Sequence, residues 1–118
     1  MKMYSFNPSY GGTIQIFPVK CEYQKGGALA VLMYEHCDDE NGVYDECYCD
    51  VTVNIPDACL PSPETDAFID TNNSPWLKKF LKENGIAKPL GFNAYSGFCE
   101  YPAYRFDLSK LSELSDLQ

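Results

Sequence analysis

The middle of this sequence lacks positive charge: there is no lysine or arginine between Lys25 and Lys78. Acidic residues are frequent over the same stretch, and the whole chain has a formal net charge of -8. A surface of this sign repels nucleic acid and anionic membranes unless a local basic patch overrides it. We therefore expect no direct nucleic-acid partner and no membrane partner.

Long apolar runs are also absent. No run approaches the roughly 18 residues that a membrane-spanning helix needs. Residues 1–5 lead into Asn7 and Pro8 rather than into the apolar stretch of a signal peptide. We expect a cytoplasmic location on these grounds, and the six cysteines are then predicted to be reduced thiols rather than disulfides.

Signals for catalysis are scarce as well. His36 is the single histidine, and neither pair of adjacent glycines is accompanied by the lysine and helix of a phosphate-binding loop. The carboxylates cluster on a predicted turn, where solvent keeps their acidity ordinary, so a pair acting as acid and base is not indicated. We predict no cofactor.

The residues that are present are sufficient for one folded domain. The chain has 118 residues, with nine tyrosines and seven phenylalanines, which is too aromatic for a disordered segment. We predict a single domain over residues 1–118. Its predicted fold class is α+β, with a twisted antiparallel sheet of about four strands and one main helix packed on one face.

Three strands are predicted from β-branched, aromatic and alternating residues, at positions 13–23, 28–36 and 44–55. Pro18 indicates that the first of them is an edge strand or carries a bulge, because proline cannot donate to a sheet ladder. In the third strand, simple alternation places Cys47 and Cys49 on the same face.

The second and third strands are predicted to form a hairpin. Asn41-Gly42 is typical of a type I′ turn, which would place His36 opposite Cys47. A longer loop would slip the register and bring Cys37 towards Cys47 instead.

The second half is predicted to begin with an irregular connection over residues 56–73, because its prolines interrupt regular structure. A helix should follow, with Ser74 as its N-cap and a stop at Asn84-Gly85. A final strand over 98–108 and a short terminal helix over 108–117 complete the prediction. The expected core residues are Ile14, Ile16, Leu32, Val51, Val53, Trp76, Leu77, Phe80 and Phe106.

A metal site is one chemical possibility in the hairpin, where four potential ligands could converge. These are His36, Cys37, Cys47 and Cys49. Structural zinc sites usually contain Cys-x-x-Cys, and the Cys-x-Cys spacing found here is explained equally by a buried sheet face. A nucleophilic cysteine is indicated still less, because neighbouring carboxylates raise a thiol pKa. No metal is predicted, and the four residues are retained as an alternative.

The acidic residues of the hairpin form the predicted contact surface. They are Glu35, Asp38, Asp39, Glu40, Asp45, Glu46 and Asp50. Carboxylates on such a surface could imitate the phosphates of a nucleic acid and occupy the binding site of a basic enzyme. The competing interpretation is a solvated face that keeps the protein soluble.

Three lysines occupy one face of the predicted helix, at Lys78, Lys79 and Lys82. They could bind phosphate or an acidic partner, although exposed lysines are common on ordinary helix surfaces. Trp76 is predicted to anchor the helix in the core rather than to stack on a ligand.

Segments of the second half resemble a family known only as a domain of unknown function. The resemblance is carried by DTNNSPW at residues 70–76, FLKENG at 80–85, SGFCEYP at 96–102 and YRFD at 104–107. This family is similar to small proteins from gut bacteria and from their plasmids and phages. The resemblance implies that cellular setting and brings no catalytic residues.

These observations predict a non-enzymatic accessory protein. It would act through contacts between its acidic surface and a protein partner, with nucleic-acid mimicry as one form of that contact. The alternative is a small metal- or thiol-dependent protein that uses the histidine and cysteines of the hairpin. The sequence does not indicate the oligomeric state.

Overall fold

Two β-sheets and a short helix make up the structure. The computed structural model describes residues 2–24 and 26–117. Its strands and helices are β1 (Tyr4–Phe6), β2 (Ile14–Glu22), β3 (Leu29–Asp39), β4 (Gly42–Asp50), β5 (Thr52–Val53), β6 (Asp66–Ile69), α1 (Leu77–Glu83), β7 (Ala87–Ser96), β8 (Cys99–Phe106) and β9 (Ser112–Glu113), with 3₁₀ turns at Leu108–Lys110 and Leu114–Asp116. Mainly antiparallel sheets with one α-helix in the described residues agree with the α+β prediction, but the strands form two sheets where one was predicted.

Sheet A contains β1, β2, β3 and β4 side by side in that order, and β9 runs parallel to β2. β2 is therefore an interior strand, with β3 along one side and β1 followed by β9 along the other. The prediction that the strand containing Pro18 is an edge strand or carries a bulge is wrong, because β2 is interior and its pairing with β3 is continuous. Pro18 falls between the stretches paired with β1 and with β9, where a missing ladder donor is more easily tolerated.

Sheet B has the order β5, β6, β8 and β7. The chain passes from sheet A to sheet B at Val51, so the single strand predicted over residues 44–55 is divided into β4 and β5. The N–H of Val51 donates to the carbonyl of Val31 at 3.0 Å, and its carbonyl accepts from the N–H of Asp70 at 2.9 Å. Val51 thus bonds to backbone on both sides and joins the two sheets.

The β3–β4 hairpin does not contain the predicted type I′ turn. That turn needs Asn41 in the left-handed region, and no non-glycine residue in the described part of the chain has positive φ. Gly42 alone supplies the left-handed residue, at φ 106°, as in a type I turn closed by a glycine bulge. The N–H of Asn41 donates to Oδ1 of Asp39 at 2.8 Å, which stabilises the turn.

The pairing of β3 with β4 also differs from both predicted registers. His36 lies opposite Asp45 rather than Cys47, and further along the ladder a bulge inserts Tyr48 into β4. The bulge reverses the alternation of faces. Cys47 is therefore exposed, whereas Tyr48 and Cys49 pack against the core. The prediction that Cys47 and Cys49 share a face is wrong for this reason.

The connection predicted over residues 56–73 contains strand β6, which pairs with β5 and β8. All four residues of β6 are buried. Its first residue, Asp66, is bound by Arg105 of β8, with Nε to Oδ1 at 2.7 Å and Nη2 to Oδ2 at 3.0 Å. The prediction of an irregular connection is wrong over this strand, because a short strand beginning with a buried carboxylate shows no apolar alternation.

Helix α1 is shorter than predicted at its start and ends as predicted. It begins at Leu77, and the side chain of Ser74 does not cap it. At its end, Gly85 has φ 64°, and the N–H of Ile86 donates to the carbonyl of Leu81 at 2.9 Å. This is a Schellman motif, which satisfies carbonyls at the helix end. The predicted stop is confirmed.

The last part of the chain forms a hairpin of β7 and β8. The final strand predicted over 98–108 is confirmed as β8, whereas β7 was not predicted because Pro89 and Gly91 interrupt its pattern. The ladder is irregular between Pro89 and Asn93, and a two-residue loop begins at Gly97, with φ 62°. The terminal helix predicted over 108–117 is wrong, because two 3₁₀ turns flank β9 there.

The core lies where sheet A, sheet B and α1 meet. Five of the predicted core residues are buried, namely Ile16, Val51, Leu77, Phe80 and Phe106. Two others, Ile14 and Trp76, are partly buried against this core, whereas Leu32 and Val53 are only half-buried. No helix in the described part of the chain is long and apolar enough to cross a membrane.

Candidate functional site

The hairpin of β3 and β4 carries the predicted acidic contact residues, and we call residues 35–50 the acidic hairpin. Its acids differ in accessibility: five are exposed, Glu35 is half-buried, and the side chain of Asp45 has no exposed surface. The exposed five are Asp38, Asp39, Glu40, Glu46 and Asp50. Most of the predicted surface is therefore available to a partner.

The tip of the acidic hairpin is held by its own hydrogen bonds. Besides accepting from the N–H of Asn41, Asp39 accepts a hydrogen bond from the hydroxyl of Tyr44 at 3.0 Å. The bond to Asp39 is the main reason that the pKa of Tyr44 is raised to about 12, since ionisation would place two negative charges together. These bonds orient the carboxylate of Asp39 relative to the turn.

One face of the acidic hairpin carries a close histidine–aspartate pair. His36 Nδ1 lies 2.7 Å from Asp45 Oδ1, and His36 is itself 20% exposed at its side chain. Asp45 was predicted as a contact residue, but its buried carboxylate is directed to a cross-strand partner. Asp45 is thus suited to positioning His36 rather than to meeting another protein directly.

The opposite face carries the closest group of potential metal ligands. Among the described residues, Glu35, Cys37 and Glu46 are the one set of three or more whose ligand atoms all lie within 4.8 Å of one another. Cys37 lies opposite Tyr44 in the ladder, not Cys47. Burial, followed by the charge of Glu35, raises the pKa of the Cys37 thiol, which favours the neutral form over a reactive thiolate.

The four residues of the predicted alternative metal site do not converge in this way. His36 and Cys37 are consecutive in a strand and point to opposite faces. Cys47 is exposed, while Cys49 is half-buried against the core. Burial raises the pKa of Cys49 to about 11, although a hydrogen bond with Ser74 opposes the rise.

A concave site lies on another part of the surface, between α1 and the paired strands β7 and β8. We call it the lysine cleft. It has a volume of about 950 Å³ and is lined by Lys78, Lys79 and Lys82 of α1 together with residues 85–89 and 104–107. Its lining is mainly apolar, and each of the three elements contributes at least one lysine or arginine residue to it.

Sequence reasoning identified only part of this cleft. It noted that the three helical lysines could bind phosphate or an acidic partner and favoured an ordinary helix surface, and it did not connect them with Lys88 or Arg105. These two residues face each other in the β7–β8 ladder, and both line the cleft. Because β7 was not recognised as a strand, nothing in the predicted topology brought its lysine towards the helix.

Comparison with known proteins identifies one family. A family model described as a domain of unknown function, DUF4313, matches residues 19–118. No curated protein and no solved structure matches the chain. The match spans the acidic hairpin and the lysine cleft, and the family description attaches no reaction to either of them.

Proposed function

The chain belongs to the DUF4313 family, and we propose that it is a non-enzymatic accessory protein that binds another protein through its acidic hairpin. The observation that carries the proposal is an exposed acidic strand at the end of a sheet. β4 is the last strand in the order of sheet A, and both Glu46 and Asp50 on it are exposed.

The proposed contact uses both the negative charge of the acidic hairpin and the backbone groups along the outer side of β4. The outer side of β4 has no strand partner within sheet A as described, and a partner can add a strand to such an edge through main-chain hydrogen bonds. The acids at 38–40 extend the same surface around the turn. They would select a basic partner and accelerate its association.

In its finer form, the proposal is that the acidic hairpin imitates nucleic acid. Its carboxylates would occupy the binding surface of a basic nucleic-acid enzyme, with the protein acting in the cytoplasm. The resemblance to proteins of gut bacteria and their mobile elements gives this form a biological setting, in which blocking a defence enzyme would protect the element.

The test is capture of partners from an extract of the producing cells, treated with nuclease, by the natural protein and by the variant D38N/D39N/E40Q. We expect the variant to lose the partner and added salt to weaken capture by the natural protein. The matched control is D57N/E64Q, which removes exposed acids outside the acidic hairpin. Equal capture by all three proteins would refute the proposal.

The mimic form needs a further measurement. A captured enzyme should release the protein when duplex DNA is added, because the two would compete for one basic surface. A partner that binds DNA and the protein at the same time would support a contact surface without mimicry.

A second candidate function is binding of a divalent metal by Glu35, Cys37 and Glu46, favoured because their ligand atoms all lie within 4.8 Å of one another. A thiolate and two carboxylates are ligands that Zn²⁺ accepts. Titration with Zn²⁺ should give one site that is lost in C37S and in E46Q. C59S, which changes an exposed cysteine elsewhere, should bind as the natural protein does.

A further inference from the structure

The lysine cleft has the size and composition of a small-molecule site. Its volume of about 950 Å³ lies at the upper end of the roughly 300–1,000 Å³ typical of ligand pockets. Buried residues from two strands, Ala87, Tyr104 and Phe106, form part of its lining. A ligand entering this cleft would therefore remove apolar surface from water, which favours binding.

Positive charge is concentrated around the cleft in an otherwise acidic protein. Lys78, Lys79, Lys82, Lys88 and Arg105 line it, and they are five of the nine lysines and arginines of the chain. Among the described residues that line the cleft, only Asp107 is acidic. Its carboxylate already accepts hydrogen bonds from the hydroxyl and the N–H of Ser109.

Three of these cations have no internal counter-charge. Arg105 is bound to Asp66, and Lys79 lies 3.8 Å from Glu83. Within the described part of the chain, Lys78, Lys82 and Lys88 form no ion pair within the 4.0 Å limit for such contacts. Uncompensated positive charge therefore lies beside the apolar depression, on α1 and on the outer strand β7, which suits an anion.

The cleft offers few polar groups that could form hydrogen bonds with a ligand. Tyr104 is 6% exposed, and its hydroxyl has no hydrogen-bond partner among the residues that the structure describes, yet it is not sealed from solvent. Burial raises the pKa of Tyr104, so the hydroxyl remains a neutral donor near pH 7. A sugar or a peptide would leave many of its polar groups unpaired against such a lining, at a cost in binding free energy.

We propose that the lysine cleft binds a free organic anion with an apolar body and one carboxylate or phosphate head group. The body would lie against Ala87, Tyr104 and Phe106, and the head group would lie among Lys78, Lys82 and Lys88. This proposal does not depend on the acidic hairpin, which lies on other strands.

Arg105 is a fixed element at the edge of the cleft, on the face of sheet B that also carries Asp66. Two of its nitrogens are held by the carboxylate of Asp66, which has no exposed surface, while the arginine side chain itself is 43% exposed. A guanidinium has five N–H donors, so donors remain for a ligand after Asp66 is satisfied.

The test is titration of isotope-labelled protein with decanoate, decyl phosphate, decanol and acetate, followed by amide NMR shifts. We expect the two amphipathic anions to shift amides of residues 82–88 and 104–107. Their relative affinities distinguish a carboxylate site from a phosphate site. Decanol should bind at least roughly fivefold more weakly, because it lacks the charge that would contact the lysines. Acetate, which has no comparable apolar body, should produce no saturable shift.

Variants test the charge directly. K78Q/K82Q/K88Q should weaken decanoate binding roughly tenfold, which corresponds to about 1.4 kcal/mol shared among three contacts. K20Q, which removes a lysine of β2 outside the cleft, should leave affinity unchanged. Added salt should weaken binding to the natural protein, and this measurement does not depend on the folding of any variant.

Several outcomes would overturn the proposal. Equal binding of decanol and decanoate would show that the cations take no part. Shifts confined to other surfaces would place the ligand elsewhere. Tighter binding of an acidic peptide, of a second copy of this chain, or of anionic vesicles than of the free anions would replace the proposed occupant with a different one.

Discussion

The acidic hairpin and the lysine cleft present charge in opposite ways. In the acidic hairpin, five carboxylates lie exposed on a turn and an outer strand. In the lysine cleft, cations surround a depression whose lining belongs partly to the core. Charge on an open surface mainly steers and selects a large partner, whereas charge beside apolar surface can retain a small one. Truncation of the buried cleft lining should therefore affect folding and binding together, whereas changes to the exposed acidic side chains of the hairpin should affect binding alone.

The largest expected effect comes from matched truncations in the two regions. Leu81 is fully buried behind the cleft, whereas Val43 in the acidic hairpin is 50% exposed. We expect L81A to lower the free energy of unfolding by about 2–5 kcal/mol through lost burial and a cavity, and V43A to change it by less than about 0.5 kcal/mol. Denaturant unfolding measures both, and similar losses would show that the hairpin is as tightly packed as the cleft.

The second prediction concerns the ion pair behind the cleft. R105A leaves the buried carboxylate of Asp66 without its cation, which costs about 3–5 kcal/mol for a fully buried pair. We expect a loss below that range here, since Arg105 is partly exposed. R105K keeps the charge but not the paired geometry, and should recover part of this loss. A loss below about 0.5 kcal/mol for R105A would show that the pair contributes little.

The ion pair of Asp66 and Arg105 also predicts how the stability of the protein depends on pH. Burial alone would raise the pKa of Asp66, but hydrogen bonds from Arg105, Thr65 and the Ser62 N–H lower it below the ordinary 3.8. A carboxylate whose pKa is lower in the folded state stabilises the protein above the unfolded pKa, and this contribution disappears as pH falls through the folded value. Stability should therefore decline below about pH 4, and the decline should be shallower in D66N.

A third, smaller effect should come from the turn of the acidic hairpin. Gly42 has φ 106° with open space around its Cα, so G42A meets no clash and changes only the backbone preference. We expect a loss of roughly 1–2 kcal/mol, as for other L-residues forced into the left-handed region. E40A in the same turn is the matched control. A loss from E40A as large as that from G42A would indicate that backbone conformation is not the cause.

The smallest effect should be local to the tip of the acidic hairpin. Replacing Asp39 by asparagine removes the main cause of the raised pKa of Tyr44, so this pKa should fall from about 12 towards the ordinary 10.0. Titration of ring-labelled tyrosine by NMR measures the change. D38N, one residue away, should leave it near its original value. A pKa of Tyr44 that is unchanged in D39N would contradict the hydrogen bond.

Sequence reasoning worked where local chemistry determines the structure. Gly85 ends α1 because a left-handed residue is needed there, and any sequence reader can find that glycine. Cys47 and Cys49 show the opposite case, because the bulge that separates their faces arises from pairing with β3 and leaves no local signal. The sequence predicted the acidity of the hairpin and the exposure of most of its acids. It could not predict that Asp45 is buried, because the contact of Asp45 with His36 is made across the β3–β4 ladder.

The lysine cleft could not be predicted from the sequence, for a related reason. Lys78 and Lys88 are ten positions apart and belong to elements of different type, so only the path of β7 brings them to one depression. Apolar residues such as Phe106 were predicted to lie in the core, and they also line the cleft. Composition alone cannot distinguish these two roles. Long-range pairing therefore limits what a single sequence can reveal about this site.

The passage of the chain through Val51 has a consequence for how the molecule opens. Its amide and carbonyl bond to backbone on both sides, and its side chain is fully buried. Neither sheet can separate from the other without breaking these bonds, so the two sheets should unfold as one cooperative unit. The Val51 amide should accordingly exchange its hydrogen with solvent only through global unfolding, at a rate close to that of the slowest amides in both sheets.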